Sequence, residues 1–199
     1  MAQPIPTRKI TDFRGQLTGG GSRPNLFEVE MAFPADIAVD SATLLKSRFL
    51  CKSANLPASN VAAIDVPFRG RILKVAGDRT FDPWTITIIN DSDFTIRHAY
   101  ESWMNTLSKL DNQTGYTDPA TYQADMKVYQ LGRDVDGTGK SGPGSPIVSK
   151  LRSVTLFGTF PTNVSALDLS YESTDTISEF TVELQVQYME INDGPGSVQ

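Results

Sequence analysis

Only one cysteine and one histidine occur among the 199 residues of the chain. A single cysteine excludes an intramolecular disulfide and zinc sites built from several cysteines, and it fits a reducing compartment. No run of about 18 apolar residues is present, and the N-terminal residues lack the apolar core of a signal peptide. We therefore expect a soluble chain that has no membrane anchor and is not exported by that route.

Basic residues are too few for a protein that holds nucleic acid. The chain has 18 Lys and Arg against 23 Asp and Glu, a formal net charge of −5. Tight phosphate binding depends on clustered cations that release counterions. The row Lys46, Arg48 and Lys52 has no interleaved aromatic platform. We interpret it as a solvated or lysine-guarded strand face, or as a partner for acidic groups of another subunit.

Two motifs in a glycine-rich loop each lack a required residue. Residues 139–141 read Gly-Lys-Ser, but a phosphate-binding P-loop would need glycine at Asp134. Asp134, Asp136 and Gly139 match positions 1, 3 and 6 of a calcium-binding loop, yet Ser145 stands where a bidentate Glu is required. We therefore expect no enzyme, no cofactor and no metal, and we interpret the loop as a hairpin tip.

Apolar residues alternate with polar ones along most of the chain, which predicts strands joined by turns. Predicted strands cover residues 26–33, 44–53, 64–75, 85–89, 123–133, 147–157, 166–171 and 180–188. About seven or eight strands with one helix predict a mainly β fold, an antiparallel β-sandwich or barrel with one packed α-helix and extended assembly loops.

The predicted helix follows Asp91 or Ser92 as N-cap. Its apolar residues recur at steps of three and four, which indicates one buried stripe: Ile96, Ala99, Tyr100, Trp103 and Leu107. His98 lies off this stripe, and no nearby motif supplies a nucleophile or carboxylate for it. We interpret His98 as an exposed surface residue.

Glycine and proline mark both ends of the chain as flexible. We expect a flexible arm over residues 1–22, a single β domain over 23–191 and a flexible tail over 192–199. The arm is either disordered or docks on a neighbouring subunit through Ile10, Phe13 and Leu17.

A charged and aromatic corner lies at the centre of the chain, in residues 75–90. We interpret Arg79, which stands between Asp78 and Asp82, as half of a buried or interfacial ion pair. Trp84 begins a β-branched run and is expected to anchor the next strand in the core.

Four segments carry a resemblance to a known family. They are residues 23–27 (Arg-Pro-Asn-Leu-Phe), 51–57 (Cys-Lys through Leu-Pro), the corner 75–90 and 160–164 (Phe-Pro-Thr-Asn-Val). In their order and spacing the chain resembles the major tail tube proteins of contractile-tailed, T4-like bacteriophages, over roughly residues 23–191.

The resemblance implies a structural virion protein. Hexameric rings would stack into the hollow inner tube of a contractile tail, the conduit for genome ejection. Implied partners are other copies of the chain, the tail sheath protein, and baseplate and tail terminator proteins. Genomic DNA would pass without specific binding, and assembly would occur in the host cytoplasm. The alternative is the inner tube of a non-phage contractile injection or secretion system.

Two sets of residues are candidate assembly or lumen positions. In the family a protruding loop reaches the next ring, and the residues carried over to this chain are Asn55, Leu56, Pro57 and Ala58; an ordinary mobile loop is the alternative. We also hypothesise that a polar strand face lines the bore and keeps DNA from sticking: Glu28, Glu30, Thr181, Glu183, Gln185 and Gln187.

Overall fold

The structure is a computed structural model that describes residues 9–17, 21–133 and 150–193. Its helices are α1 (Ile10–Gln16), α2 (Ser41–Leu50), α3 (Thr95–Leu107) and α4 (Pro119–Tyr122). Its strands are β1 (Phe27–Glu30), β2 (Cys51–Ala54), β3 (Ser59–Phe68), β4 (Arg71–Phe81), β5 (Trp84–Ile89), β6 (Ala124–Leu131), β7 (Lys150–Val164), β8 (Glu179–Gln185) and β9 (Tyr188–Asp193).

Seven of the described strands form one sheet. Their order is β1-β6-β7-β8-β5-β2, and β9 also pairs with β7. Strand β5 is antiparallel to both β2 and β8, and β7 is antiparallel to β8. Strands β3 and β4 form a separate two-stranded antiparallel sheet. The predicted mainly β class with a packed helix is confirmed, and closure into a barrel stays a prediction.

The chain divides into two compact units. The larger comprises residues 28–128 and 154–191, and the described residues of the smaller are 9–17, 21–27, 129–133, 150–153 and 192–193. Within the smaller unit the Leu131 amide donates to the Leu26 carbonyl at 2.9 Å, and Gln130 Nε2 donates to the Arg23 carbonyl at 2.7 Å. These bonds tie the segment before β1 to the end of β6. The predicted domain limits stay a prediction.

The core of the larger unit lies on one face of the large sheet. Trp84, Ile86 and Ile88 of β5 are fully buried, while the threonines between them are partly exposed. Strand β8 alternates in the same way, because its buried residues pair directly with those of β5. Helix α3 buries four of the five residues of the predicted stripe: Ile96, Ala99, Tyr100 and Trp103. The stripe is therefore confirmed, with Leu107 partly exposed.

The predicted strand over residues 44–53 is wrong for most of its length, because α2 occupies residues 41–50. Asp40 caps this helix, since its Oδ1 accepts from the Thr43 amide at 2.8 Å. Ala, Leu and Lys in the first two turns are strong helix formers. The apparent alternation with period two came from cations on the helix surface, and only Cys51–Ala54 form a strand.

The single strand predicted at 64–75 is also wrong. The chain makes a hairpin whose strands pair from Ser59↔Phe81 to Phe68↔Arg71. Its two-residue turn has positive φ at both positions, 45° at Arg69 and 81° at Gly70. This is the geometry of a type I′ turn, which twists in the same sense as the strands. The missed signal was the Arg-Gly pair inside an apolar run.

Three smaller predictions need correction. Residues 166–171 form no strand and belong to a loop between β7 and β8. The strand predicted to continue to Tyr188 ends at Gln185, and Tyr188 begins β9. The N-cap of α3 is Phe94, at φ 53°, rather than Asp91 or Ser92. Asp91 instead accepts from the Ser92 amide and pairs with Lys46 of α2.

Candidate assembly surfaces

The hairpin of β3 and β4 presents an exposed apolar face. Directly paired residues of an antiparallel ladder share a face, and the pairs Ile64↔Val75 and Val66↔Leu73 therefore lie together, with Phe68 beside the turn. Phe68 is 67% exposed and Leu73 is 62% exposed. We call these residues the hairpin's apolar face: Ile64, Val66, Phe68, Leu73 and Val75. A two-stranded hairpin alone is marginally stable in water, so this face needs a cover.

The opposite face of the hairpin is polar near its middle. Lys74 Nζ lies 2.9 Å from Asp65 Oδ1, and the two residues are directly paired. We call the end of the hairpin where β3 begins and β4 ends its root. A bulge lies closer to this root, where Gly77 and Asp78 stand opposite Ala62. A Cβ on Gly77 would lie 3.0 Å from the Ala62 carbonyl oxygen, which explains glycine there. Bulges increase strand twist and re-aim the residues beyond them.

The predicted assembly residues Asn55, Leu56, Pro57 and Ala58 lie at the root of this hairpin, between β2 and β3. Asn55 is held on β5, because its carbonyl accepts from Trp84 Nε1 at 2.6 Å and its Oδ1 accepts from the Thr85 amide at 2.9 Å. Pro57 is buried. Inter-ring contact by these residues stays a prediction, and the segment that extends from them is the hairpin.

The corner fixes the other side of the root. Trp84 is fully buried, as predicted for a core anchor. The Asp82 amide donates to the Ala58 carbonyl at 3.0 Å, and Asn60 Nδ2 donates to Asp82 Oδ1 at 2.8 Å. Asp78 and Arg79 are exposed on β4. Within the described part of the chain Arg79 forms no ion pair, so a buried pair is wrong and an interfacial pair stays a prediction.

The predicted lumen residues divide into two groups. Thr181, Glu183 and Gln185 point away from the core, beside Thr85 and Thr87 of β5. Gln187 follows β8, and its amide donates to the Phe157 carbonyl at 3.1 Å.

Glu28 and Glu30 are held by a cation of α2. Arg48 Nη2 lies 2.7 Å from Glu30 Oε1, and Nη1 lies 3.6 Å from Glu28 Oε1. A lumen role for either group stays a prediction, and exposed Glu183 is the clearer test of it.

All three cations of the row have carboxylate partners in the same chain. Besides the Arg48 pairs, Lys46 binds Asp91 and lies 3.5 Å from Asp93, and Lys52 lies 2.6 Å from Glu179. These bonds tie α2 and β2 to the sheet and to the start of α3. Lys46, Arg48 and Lys52 therefore do not form one strand face, and each of them is paired with a carboxylate of its own chain.

No arrangement for catalysis is visible in the described residues. His98 is exposed as predicted, and its Nε2 lies 3.5 Å from Ser102 Oγ on the same helix surface. Burial raises the pKa of Cys51 to about 11, so this thiol is a poor nucleophile at neutral pH. Burial, with Cys51 as a smaller cause, also raises the pKa of Tyr100. The described ranges hold no group of metal-ligating side chains and no helix that could span a membrane. The two motifs at 134–145 lie outside the described residues.

The described part of the N-terminal arm contains a short helix, α1. Its Ile10 and Phe13, together with Leu17 beyond it, are exposed. Docking of these three residues on a neighbouring subunit stays a prediction.

Comparison with known proteins identifies related chains. A family model described as phage tail tube protein matches residues 22–192. The tail tube protein gp19 of Enterobacteria phage T4 is 33% identical over 173 residues, which cover 87% of this chain and 93% of that protein. The tail tube protein of Serratia phage KSP90 is 25% identical over 178 residues, which cover 88% and 93% of the two chains.

Solved structures share the fold. A chain of the anti-feeding prophage baseplate matches with TM-score 0.56 at 13% identity, covering 87% of this chain and 96% of that chain. A chain of the anti-feeding prophage tube-terminating cap matches with TM-score 0.55 at 16% identity, covering 98% and 94%.

Proposed function

Because the chain belongs to the phage tail tube protein family, we propose that its copies form hexameric rings that stack into the hollow inner tube of a contractile tail. As a tail tube protein it is a structural component of the virion. The observation that carries the stacking is the hairpin's apolar face, which is exposed in a single copy. A face of this kind is typical of a surface that another chain covers.

The large sheet supports ring closure. Its described order begins at β1 and ends at β2. Unpaired strand edges promote uncontrolled association unless another element covers them. Edge-to-edge pairing around a ring would satisfy them and would turn six sheets into one barrel. A head-to-tail contact that closes gives a ring, while a second contact propagates along the axis.

The conduit role rests on charge. In a bore lined by Glu183, Gln185 and Thr181, the carboxylate of Glu183 would repel phosphates, and the uncharged Gln185 and Thr181 would not attract them. DNA could then slide without being held. The same reasoning supports passage of the genome without specific binding. The sheath, baseplate and terminator are the partners expected for such a tube, and assembly would take place in the host cytoplasm. In this role the chain is structural and not catalytic.

Electron microscopy of the purified protein tests the proposal. We expect hollow tubes or rings on the order of a hundred ångströms wide. Leu73→Ser should abolish stacking, because it places a hydroxyl in the apolar face, while Leu110→Ser is a matched control on an exposed loop outside the hairpin. Compact monomers of the wild-type protein under every condition would contradict the proposal.

Replacement of Glu183 by Lys tests the bore. Glu183 is exposed, so the variant should fold and assemble. A ring of cations in the lumen would hold the phosphates and slow genome release, which ejection assays on assembled particles measure. Normal ejection from the variant would show that β8 does not line the lumen.

A second candidate is the tube of a non-phage contractile injection system. It is favoured by the shared fold of the anti-feeding prophage chains. Tubes found attached to DNA-filled heads would support the phage assignment, and tubes found only on headless particles would support the alternative.

A further inference from the structure

Charge is divided unevenly along the chain. Every one of the 18 Lys and Arg residues precedes Ser153. Residues 153–199 carry only carboxylates: Asp168, Glu172, Asp175, Glu179, Glu183, Glu190 and Asp193. The hairpin has the opposite balance, since Arg69, Arg71, Lys74 and Arg79 outnumber Asp65 and Asp78. A basic hairpin therefore extends from a chain whose formal net charge is −5.

The longest described loop lies within the acidic part of the chain. Strand β7 ends at Val164 and β8 begins at Glu179, so 14 residues separate them. Loops of this length without secondary structure are uncommon in compact domains and often functional. Both ends are fixed: the Ser165 amide donates to the Thr181 carbonyl at 2.8 Å, and the Asn90 amide donates to the Ser178 carbonyl at 2.9 Å.

This β7–β8 loop, residues 165–178, exposes large apolar side chains between its carboxylates. Leu169 is 85% exposed and Tyr171 is completely exposed. Ile177 is exposed as well. Tyrosine is enriched among residues that dominate binding energy at protein interfaces. The loop therefore combines apolar anchors with Asp168, Glu172 and Asp175, and the hairpin combines an apolar face with cations.

Neither surface finds all of its partners among the described residues of one copy. Lys74 is paired with Asp65, and Glu179 at the end of the loop is paired with Lys52. Among the described residues, three hairpin cations (Arg69, Arg71 and Arg79) and three loop carboxylates (Asp168, Glu172 and Asp175) form no ion pair. Both apolar surfaces are also exposed, so the hairpin does not cover the loop of its own chain.

We propose that the hairpin of one copy docks on the β7–β8 loop of a second copy. The apolar face covers Leu169, Tyr171 and Ile177, while the hairpin arginines face the loop carboxylates. The occupant is a second copy because both complementary surfaces occur once in each chain. The inference rests on the proposed stacking and assigns the surface that receives the hairpin. Such a contact joins two different patches, so it can propagate from ring to ring.

Charge reversal tests the pairing in the full-length protein. Arg69→Glu with Arg71→Glu should raise the concentration needed for polymer formation by about tenfold or more, because like charges then meet across the interface. Asp168→Arg with Glu172→Arg should do the same. All four changes together should restore assembly to within about threefold of the wild-type protein, because the charges again match. Sedimentation and electron microscopy measure polymer, and urea unfolding checks that each variant folds.

A matched control replaces the loop pair with Asp36→Arg and Asp111→Arg, two exposed carboxylates outside the loop. This pair should not rescue Arg69→Glu with Arg71→Glu. Failure of the four-residue swap, with normal wild-type tubes, would overturn the docking assignment and leave the tube function standing. Absence of any wild-type polymer would overturn both.

Cross-linking gives an independent measurement. In a Cys51→Ala background, Arg69→Cys with Glu172→Cys should produce a ladder of disulfide-linked multimers on oxidation of assembled protein. Arg69→Cys with Asp111→Cys is the control and should give monomers. Equal ladders from both variants, or none from the first when tubes are present, would contradict the proposal.

Discussion

The hairpin of β3 and β4 and the central pair β5 and β8 are built from similar residues and have opposite environments. In β5 every second side chain is fully buried, whereas all but two residues of β3 and β4 are exposed. Both regions are rich in Val and Ile, which favour strands wherever they occur. The difference is therefore in what covers them: a helix and neighbouring strands cover β5, and the hairpin's cover must come from another chain.

Trp84→Ala should give the largest effect, a loss of monomer stability. The side chain is fully buried and its Nε1 donates to the Asn55 carbonyl. Loss of such a residue costs about 3–5 kcal/mol of unfolding free energy. Phe68→Ala in the hairpin should change monomer stability by less than about 0.5 kcal/mol, because the ring is already exposed. Urea unfolding of unpolymerised protein measures both. Equal losses of unfolding free energy in the two variants would contradict the proposed difference between the two regions.

Asn55→Ala should weaken the joint between the regions by about 1 kcal/mol, because the Thr85 amide loses its acceptor. Asn60→Ala, which removes an exposed bond to Asp82, is the control and should have a smaller effect. Urea unfolding again gives the comparison. A larger loss from Asn60→Ala would place the fixed point of the hairpin on the Asp82 side.

The contrast also explains what the sequence could predict. Patterns set by burial within one copy were readable: the alternation in β8, the stripe of α3 and the anchor Trp84 all reflect one core. The hairpin was missed because its turn is Arg-Gly rather than the Asn-Gly or Asp-Gly typical of a two-residue turn, and so residues 64–75 resembled a single strand. Helix α2 was missed because its cations Lys46 and Arg48 pair with Asp91 and Glu30, partners that are distant in sequence.

The candidate surfaces show the same difference between contacts within one copy and contacts between copies. The loop at 55–58 was found through resemblance and the corner through its own charged and aromatic residues, and the structure brings the two together at the hairpin root. The tip, where Arg69 lies over the Phe68 ring at 5.3 Å, carried no motif that sequence reasoning could use. The apolar face of the hairpin alternates like a core strand, so its period alone does not tell cover by the same copy from cover by another copy.

Arg79→Ala should impair assembly more than folding. The side chain is exposed and has no ion pair in the described residues, so monomer stability should stay within about 0.5 kcal/mol of the parent. Polymer yield should fall because the loop carboxylates that are proposed to face Arg79 in another copy no longer meet a positive charge. Lys109→Ala, another exposed cation, is the control. Equal damage to folding and assembly would make the corner a folding element only.

The last effect is confined to high pH and belongs to the core side of the comparison. Burial raises the pKa of Cys51 from 9.0 to about 11. The unfolded chain therefore loses this proton before the folded chain does, and unfolding becomes easier as the pH rises from 9 through about 11. Cys51→Ala should show a shallower fall in unfolding free energy over that window, while the remaining slope reports Tyr100 and other groups. Identical pH profiles for the two proteins would mean that Cys51 titrates normally in the fold. A hairpin substitution such as Val66→Ala should leave the profile unchanged, because an exposed side chain does not alter the burial of the thiol.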